Sequence, residues 1–410
     1  MFDVERTWFT DPSRRAALAR LAGFLAASPL APALAAPDPR PLGDVRRALT
    51  LPEMQTAFDF QPVFFGNVPV ATYDYTAHGD GSEFTLRRNR QAYDWVDILA
   101  ARSPVPASQI DLSTEILGVK SKYPILVGPS SGQGALHPDG EIGMFKGATA
   151  AGTIMIIASG PTIPVEKVVP AAPGGNLWEQ FYPIENLAAT QKSIENYHGL
   201  GLDNIMVTVD QQASYYERDE LDRNYGGQVR RAGTGAGARG AAAAAAPTGS
   251  DRYKVSARRL WYSWEYIDAV RKLVKGKMLI KGILDPEDAK LAIEHGADAI
   301  TVSNHGGRSM DYGPSTLEVL PEIVAAVNGK IPVLFDSGIR RGADIFKALA
   351  LGANGVQLGR AARWGLAAFG AAGAQRVIEI LQQELVQTAA AAGCAKLSDI
   401  NKAKVRTHFV

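Results

Sequence analysis

From Leu117 onward, short apolar runs alternate with longer segments in which apolar residues recur at helical spacing. Eight runs have the length and composition of buried strands: Ile125–Val127, Ile154–Ala158, Leu177–Tyr182, Ile205–Val209, Met278–Ile280, Ala299–Val302, Val333–Phe335 and Val356–Leu358. Helical patterns lie between them at Gly143–Ala151, Asn186–Tyr197, Tyr262–Val274, Pro286–His295, Leu317–Val327 and Ala343–Leu351. This order predicts an α/β fold, a closed (β/α)8 TIM barrel. An open doubly wound sheet would show fewer units and an early Gly-x-Gly-x-x-Gly turn.

Two regions interrupt the alternation. Residues 36–115 predict a linker and an N-terminal helical segment, which leaves the barrel to residues 116–410. A Gly/Ala-rich insertion, 226–250, falls after strand 4 and has too few large apolar side chains to form a core. The insertion fits either a mobile cover over the barrel mouth or a simple linker.

Composition excludes several classes of protein. Apolar residues make up 46% of the chain and charged residues 21%, which rules out wholesale disorder. The formal net charge is +1, so the chain lacks the positive field expected of a protein that binds nucleic acid. The single cysteine, Cys394, excludes an internal disulfide and a thiolate metal cluster, and we expect no bound metal. No apolar run is long enough to predict a membrane span.

The N-terminus has the order of an export signal. Arg14 and Arg15 precede a weakly apolar stretch rich in Ala and Leu, and Ala33-Leu34-Ala35 suits signal peptidase. Paired arginines before modest hydrophobicity predict a twin-arginine-type signal over residues 1–35 and a periplasmic location. The alternative is an Ala-rich amphipathic helix on a cytoplasmic protein.

Polar side chains follow four consecutive predicted strands, where a barrel carries its active face. They are Gln180 and Tyr182, then Thr208 and Asp210, then Lys281, and finally Ser303, His305 and Arg308. An imidazole oriented by a carboxylate suits proton transfer, so His305 and Asp210 predict an acid–base pair. Lys281 fits either a Schiff-base nucleophile or a cation that stabilises an anionic ring.

The seventh and eighth strands end differently. Asp336, Gly338 and Arg340 follow the seventh, and Gly359 and Arg360 follow the eighth. Glycines allow an anion close to the backbone, arginine adds bidentate contacts, and these two loops commonly hold phosphate in this fold. The pattern therefore predicts a phosphorylated ligand.

Three stretches carry a family resemblance: residues 303–308 (SNHGGR), 208–210 (TVD) and 336–342 (DSGIRRG). They resemble the FMN-dependent α-hydroxy-acid oxidase/dehydrogenase family, which includes glycolate oxidase, L-lactate dehydrogenase and mandelate dehydrogenase. The resemblance runs from about Tyr73 to Cys394. It implies FMN as cofactor, oxidation of an (S)-2-hydroxy acid to a 2-oxo acid, and a homo-oligomer, tetramers being common. Electrons would leave to oxygen, a quinone or a separate redox carrier.

The resemblance also implies residue roles. His305 would remove a substrate proton with Asp210 paired to it, and Arg308 would hold the substrate carboxylate. Tyr75 and Tyr182 would bind substrate oxygens, and Lys281 would lie beside the flavin. Pro129, Ser130, Ser131, Ser159, Gln180, Thr208 and Ser303 would line the flavin ring and ribityl chain, with Asp336, Gly338, Arg340, Gly359 and Arg360 at the ribityl and phosphate end.

One position departs from the family pattern. A second substrate arginine is expected after strand 4, where this chain has Tyr216 or Glu217, depending on alignment. A one-residue insertion would let Arg218 supply it. Two alternatives stay open: a non-redox sugar-phosphate lyase or isomerase using Lys281, and an exported flavin-binding protein that has lost turnover.

Overall fold

The computed structural model describes residues 49–184, 186–210 and 263–408. The predicted export signal, the 226–250 insertion and Arg218 lie outside the described residues.

The strands are β1 (Val96–Ile98), β2 (Thr114–Ile116), β3 (Val119–Ser121), β4 (Ile125–Val127), β5 (Ile154–Ala158), β6 (Leu177–Phe181), β7 (Ile205–Thr208), β8 (Met278–Ile283), β9 (Ala299–Val302), β10 (Val333–Phe335), β11 (Gly355–Leu358) and β12 (Val405–Thr407). The helices are α1 (Phe60–Asn67), α2 (Val70–Ala77), α3 (Phe84–Gln91), α4 (Gly140–Ala150), α5 (Val165–Val168), α6 (Leu187–Gly199), α7 (Trp264–Leu273), α8 (Pro286–Glu294), α9 (Thr316–Val327), α10 (Gly342–Ala350) and α11 (Arg360–Ala391). Short 3-10 helices lie at Leu51–Glu53, Ala57–Asp59, Ala92–Trp95, Ala107–Gln109, Gln133–Ala135, Val169–Ala171, Leu397–Asp399 and Lys402–Lys404.

Strands β4 to β11 form a closed, all-parallel barrel in chain order, and β11 pairs back onto β4. The predicted (β/α)8 barrel is confirmed, and the predicted strands match β4 to β11 to within three residues. The largest difference is at β8, which continues to Ile283. Gly282 has φ +110 there and the register with β9 shifts between Lys281 and Ile283, so a bulge extends the pairing.

The amino-terminal half of the barrel is filled with apolar side chains. Leu126, Ile154, Ile156, Trp178, Met206, Leu279, Ala299 and Leu334 form this inner cluster, with Ile116 of β2 against it. The β2–β3 hairpin closes this end, and its two-residue loop has φ of +51 at Leu117 and +86 at Gly118, as in a type I′ turn. Within the described ranges the inner cluster fills this end of the barrel, so a ligand inside the barrel would enter from the opposite end.

Helix α11, which sequence analysis did not predict, follows the last barrel strand. Phe369 and Gly370 have non-helical backbone angles, so the element consists of two helical parts that meet at a kink. A Cβ on Gly365 would lie 2.4 Å from the carbonyl oxygen of Gly373, so glycine permits the close approach of the two parts. Within the described ranges, no helix combines the length and apolarity needed to cross a membrane.

The segment before the barrel contains α1 to α3 and contacts the loops at the open end. Arg88 of α3 donates two hydrogen bonds to Glu318, at 2.7 and 2.6 Å. The side-chain amides of Asn89 and Asn304 bond each other reciprocally at 2.9 and 2.8 Å, and both are buried. The Asn89–Asn304 pair thus fixes the loop that follows β9, which carries His305 and Arg308.

Candidate active site

A cavity of about 400 Å³ opens at the carboxyl ends of the barrel strands. Most of the predicted site residues line it: Tyr75, Pro129, Ser130, Ser131, Ser159, Gln180, Tyr182, Thr208, Lys281, His305, Arg308, Asp336, Gly338, Arg340, Gly359 and Arg360. Asp210 and Ser303 are buried behind this wall and contact its residues instead. These predicted residues therefore form one site, built from the carboxyl ends of all eight barrel strands and from α2.

His305 and Asp210 form a hydrogen-bonded pair at the cavity wall. The Nδ1 atom of His305 lies 2.9 Å from Oδ1 of Asp210, and Nε2 lies 3.4 Å from the Tyr182 hydroxyl. His305 has φ +58, a left-handed conformation that is uncommon outside glycine and is found at functional sites. The Ser303 hydroxyl accepts a hydrogen bond from the His305 N–H and donates one to Asp210, which holds this turn in place.

Asp210 stays ionised although it is buried. Burial raises its pKa, but the neighbouring Lys281 and His305 lower it to about 2. The Lys281 ammonium lies 3.2 Å from Oδ2 of Asp210 and 3.7 Å from a carboxylate oxygen of Asp336. Burial lowers the pKa of Lys281, yet these two carboxylates leave it above its usual value. The site therefore contains a fixed carboxylate for the imidazole and a fixed cation inside the barrel.

The carbonyl groups at the end of α2 hold two of the cavity arginines. Arg308 donates to the carbonyl oxygens of Tyr75 and His78, and Arg360 donates to those of Thr76 and His78 at 2.7 and 3.0 Å. Carbonyls at a helix C-terminus carry partial negative charge, which suits guanidinium groups. A segment distant in sequence from the barrel thus positions its arginines.

The loops after β10 and β11 combine buried arginines with main chain that packs closely against its neighbours. Ser337 and Gly338 have φ of +85 and +83, and a Cβ on Gly338 would lie 2.4 Å from the Asn89 carbonyl oxygen. Burial and the neighbouring Arg90 lower the pKa of Arg340 to about 10. Burial, with Arg308 and the other cavity arginines, also lowers the pKa of Arg360 well below its usual value. Such crowding of buried cations suits a dianionic phosphate.

Unpartnered polar atoms test whether this cavity suits FMN. The Nε2 atom of Gln180, the hydroxyl of Thr208 and the Oε1 atom of Gln357 are buried and have no hydrogen-bond partner within the described ranges. All three residues line the cavity. Because buried polar groups are almost always hydrogen-bonded, these atoms indicate a polar ligand deep in the barrel. Together with the cations at the loop end, they fit a flavin ring and its phosphate.

Gln357 and Arg363 are among the cavity residues that were not predicted from the sequence. Gln357 is a polar residue in the apolar strand β11, and its Nε2 atom donates to Thr301 at 3.1 Å. Its inward orientation could have been inferred from strand alternation. Arg363 lies in the first turn of α11 and reaches Ser131 and Thr76. No motif marked it, because its partners are far away in sequence.

A parallel barrel with an imidazole–carboxylate pair, an internal ammonium and a cationic loop end has the features of a flavin-binding oxidoreductase. Comparison with known proteins agrees. Residues 66–407 match the family described as FMN-dependent dehydrogenase. Glycolate oxidase 5 of Oryza sativa subsp. japonica is 36% identical over 366 residues, covering 87% of this chain and 96% of that protein. Glycolate oxidase of Spinacia oleracea is 34% identical over 364 residues, with 86% and 96% covered.

Solved structures give the same result. The crystal structure of mandelate oxidase superposes with a TM-score of 0.77 at 28% identity, covering 87% of this chain and 99% of that one. A second structure, of a mandelate oxidase variant with (S)-mandelic acid, gives a TM-score of 0.75. The chain belongs to the FMN-dependent dehydrogenase family. It is an FMN-dependent enzyme of α-hydroxy-acid oxidation, and the predicted family and cofactor are confirmed.

Proposed function

We propose that this enzyme oxidises an (S)-2-hydroxy acid to the 2-oxo acid, with His305 as the base that removes a proton from the substrate. The observation that supports this most directly is the orientation of the imidazole. Asp210 lies 2.9 Å from Nδ1, while Nε2 is next to the Tyr182 hydroxyl at the cavity surface. FMN, when bound, accepts the two electrons that leave the substrate.

The surrounding residues stabilise charge and bind the substrate. Asp210, whose pKa is lowered to about 2, stabilises the imidazolium that forms when His305 takes a proton. Arg308 and the Tyr75 hydroxyl supply donors for a substrate carboxylate. Lys281 places a permanent positive charge in the barrel, where it would stabilise negative charge on a bound flavin.

The state of Lys281 disfavours the lyase or isomerase alternative. A Schiff-base nucleophile must lose its proton, and burial without counter-charges would assist that. Here two carboxylates pair with the ammonium and raise the pKa of Lys281. We therefore expect no adduct on Lys281 when borohydride is added with a carbonyl substrate, and a trapped adduct would favour the alternative.

Anaerobic flavin bleaching tests the proposal. The purified enzyme is expected to be yellow and to bleach with at least one member of a panel of 2-hydroxy acids that includes glycolate and mandelate. We propose oxygen as the electron acceptor because the named relatives are oxidases. Admission of air should then reoxidise the flavin and restore the yellow colour as fast as the enzyme turns over. FMN that binds tightly but is reduced by no panel member would favour the non-catalytic alternative.

His305→Gln assigns the base. The variant is expected to retain FMN and lose about 10²- to 10⁴-fold in the rate of flavin reduction, the usual contribution of a general base. His408→Gln is the matched control, because His408 also pairs with a carboxylate, Asp97, at 2.7 Å, but on the exposed surface. Near-normal reduction in His305→Gln would exclude it as the base.

A further inference from the structure

Arg363 is a buried cation in the cavity wall to which the proposed reaction assigns no role. It is only 5% exposed and lines the cavity beside Tyr75 and Ser131. It lies three residues after Arg360, but its side chain contacts the α2 segment and the loop after β4. Its contacts therefore differ from those of Arg340 and Arg360 at the proposed phosphate end.

The hydrogen bonds of Arg363 leave part of its donor capacity unused. Its Nε and Nη2 atoms donate to the Thr76 hydroxyl at 3.2 and 2.9 Å, and Nη1 donates to the Ser131 carbonyl oxygen. A guanidinium has five N–H donors, and these contacts use three of them. No carboxylate within the described ranges forms an ion pair with it. The charge of Glu141 raises the pKa of Arg363 from a distance, but the Glu141 carboxylate accepts its hydrogen bonds from Thr162.

Arg308 and Arg363 converge on the same aromatic ring. The Cζ atom of Arg308 lies 4.6 Å from the Tyr75 ring centroid, and that of Arg363 lies 5.8 Å from it. The Tyr75 hydroxyl lies 3.1 Å from the Ser131 hydroxyl, next to the carbonyl that Arg363 binds. Burial lowers the pKa of Arg363 to about 10, and repulsion by the Arg308 guanidinium contributes to this shift. An anion in contact with both guanidinium groups would offset this repulsion.

We propose that Arg363 binds the substrate carboxylate jointly with Arg308 and so determines the preference of this enzyme for acids over neutral analogues. The inference rests on the proposed function, because it assigns a second cation to that reaction's substrate. Arg363 acts in binding rather than in proton transfer, since its contacts lie on the Tyr75 side of the cavity and His305 has its own partners. Its loss should raise KM far more than it lowers kcat.

The test compares each hydroxy acid with its amide, which has the same shape and no charge. For wild type, Arg363→Met and Arg363→Lys, we would measure kcat/KM for glycolate against glycolamide and for mandelate against mandelamide. Equilibrium binding of benzoylformate, followed in the flavin spectrum, gives a readout independent of turnover. The methionine variant is expected to lose 10- to 100-fold of its acid-over-amide preference, the range for one charge-assisted hydrogen bond, and to bind benzoylformate correspondingly weaker. The lysine variant should recover part of both.

Two controls separate this role from a structural one. Arg376→Met changes another arginine of α11, which donates to the Met54 carbonyl outside the cavity, and should leave the preference unchanged. Arg218→Met asks whether the arginine predicted from sequence carries the preference instead. The inference is wrong if Arg363→Met keeps the wild-type preference, or if it loses FMN affinity while the preference stays constant. Failure of the wild-type enzyme to bind or oxidise any acid would instead contradict the proposed function.

Discussion

The two ends of the barrel are built from the same eight strands but serve opposite purposes. At the amino-terminal end, the inner cluster around Trp178 is apolar, nearly inaccessible to solvent and closed by a hairpin. At the carboxyl end, the same strands present Gln180, Thr208 and Lys281, with unsatisfied polar atoms and residues in left-handed conformations. Residues two positions apart on one strand, such as Trp178 and Gln180, thus contribute to stability and to ligand binding respectively. The following substitutions test that separation.

Asp210→Asn should produce the largest effect on chemistry. It removes the charge that stabilises the protonated imidazole, and we expect flavin reduction to slow by about 10²- to 10⁴-fold. Stopped-flow reduction at saturating substrate measures this. Ser303→Ala keeps the Asp210 charge but removes the hydrogen bond to Asp210 and the one accepted from the His305 N–H, both 3.1 Å, and should slow reduction by roughly tenfold or less. Equal effects of the two substitutions would contradict the assignment.

Trp178→Ala should produce the largest effect on stability. Removal of a side chain only 2% exposed leaves a cavity in the inner cluster, and we expect a loss of about 3–5 kcal/mol in the free energy of unfolding. Denaturant titration measures the loss. KM and the acid-over-amide preference of the folded enzyme should stay within a factor of two or so. A large change in either would show that the two ends are coupled.

Acid should remove the stability that ionised Asp210 contributes. Because its folded-state pKa, about 2, lies below the unfolded value, this contribution is complete above about pH 5 and is lost as pH falls toward 2. It amounts to about 2 kcal/mol, of which about 1 kcal/mol is lost between pH 5 and pH 3. The stability difference between wild type and Asp210→Asn should shrink by that amount over this interval. A constant difference would show that the Asp210 carboxylate is not stabilised by its neighbours.

Gln180→Leu should have the smallest effect, with opposite signs in the two forms of the protein. Without FMN, the substitution removes a buried amide nitrogen that lacks a partner, so thermal stability should rise or stay constant. With FMN, a hydrogen bond is lost, and we expect binding to weaken by about 1 kcal/mol, roughly fivefold. Apoprotein melting and FMN titration measure the two. If the substitution lowered the thermal stability of the apoprotein and left FMN affinity unchanged, the role of Gln180 would be purely structural.

Much of the barrel was predictable because each strand is a short apolar run between helical patterns, a signal that is local in sequence. His305, Asp210 and Lys281 could be located for the same reason, since a strand end fixes where the next side chains lie. Arg363 could not. Its significance depends on Thr76 and Tyr75, which precede the barrel, and on Ser131, and no local pattern indicates that these residues meet. The hydrogen bond between Asn89 and Asn304 could not be predicted for the same reason.

The end of α2 imposes a constraint that conservation of side chains would not reveal. Arg308 and Arg360 are held by main-chain oxygens of residues 75, 76 and 78, which any amino acid can provide. For these two arginines, the side chains of this segment are therefore free to differ, provided that the helix stops at the same residue; Tyr75 and Thr76 are constrained separately by their own side-chain contacts. A single insertion or deletion between Ala77 and Gly79 would displace the His78 oxygen, which both guanidinium groups share, and should loosen both arginines without touching the barrel.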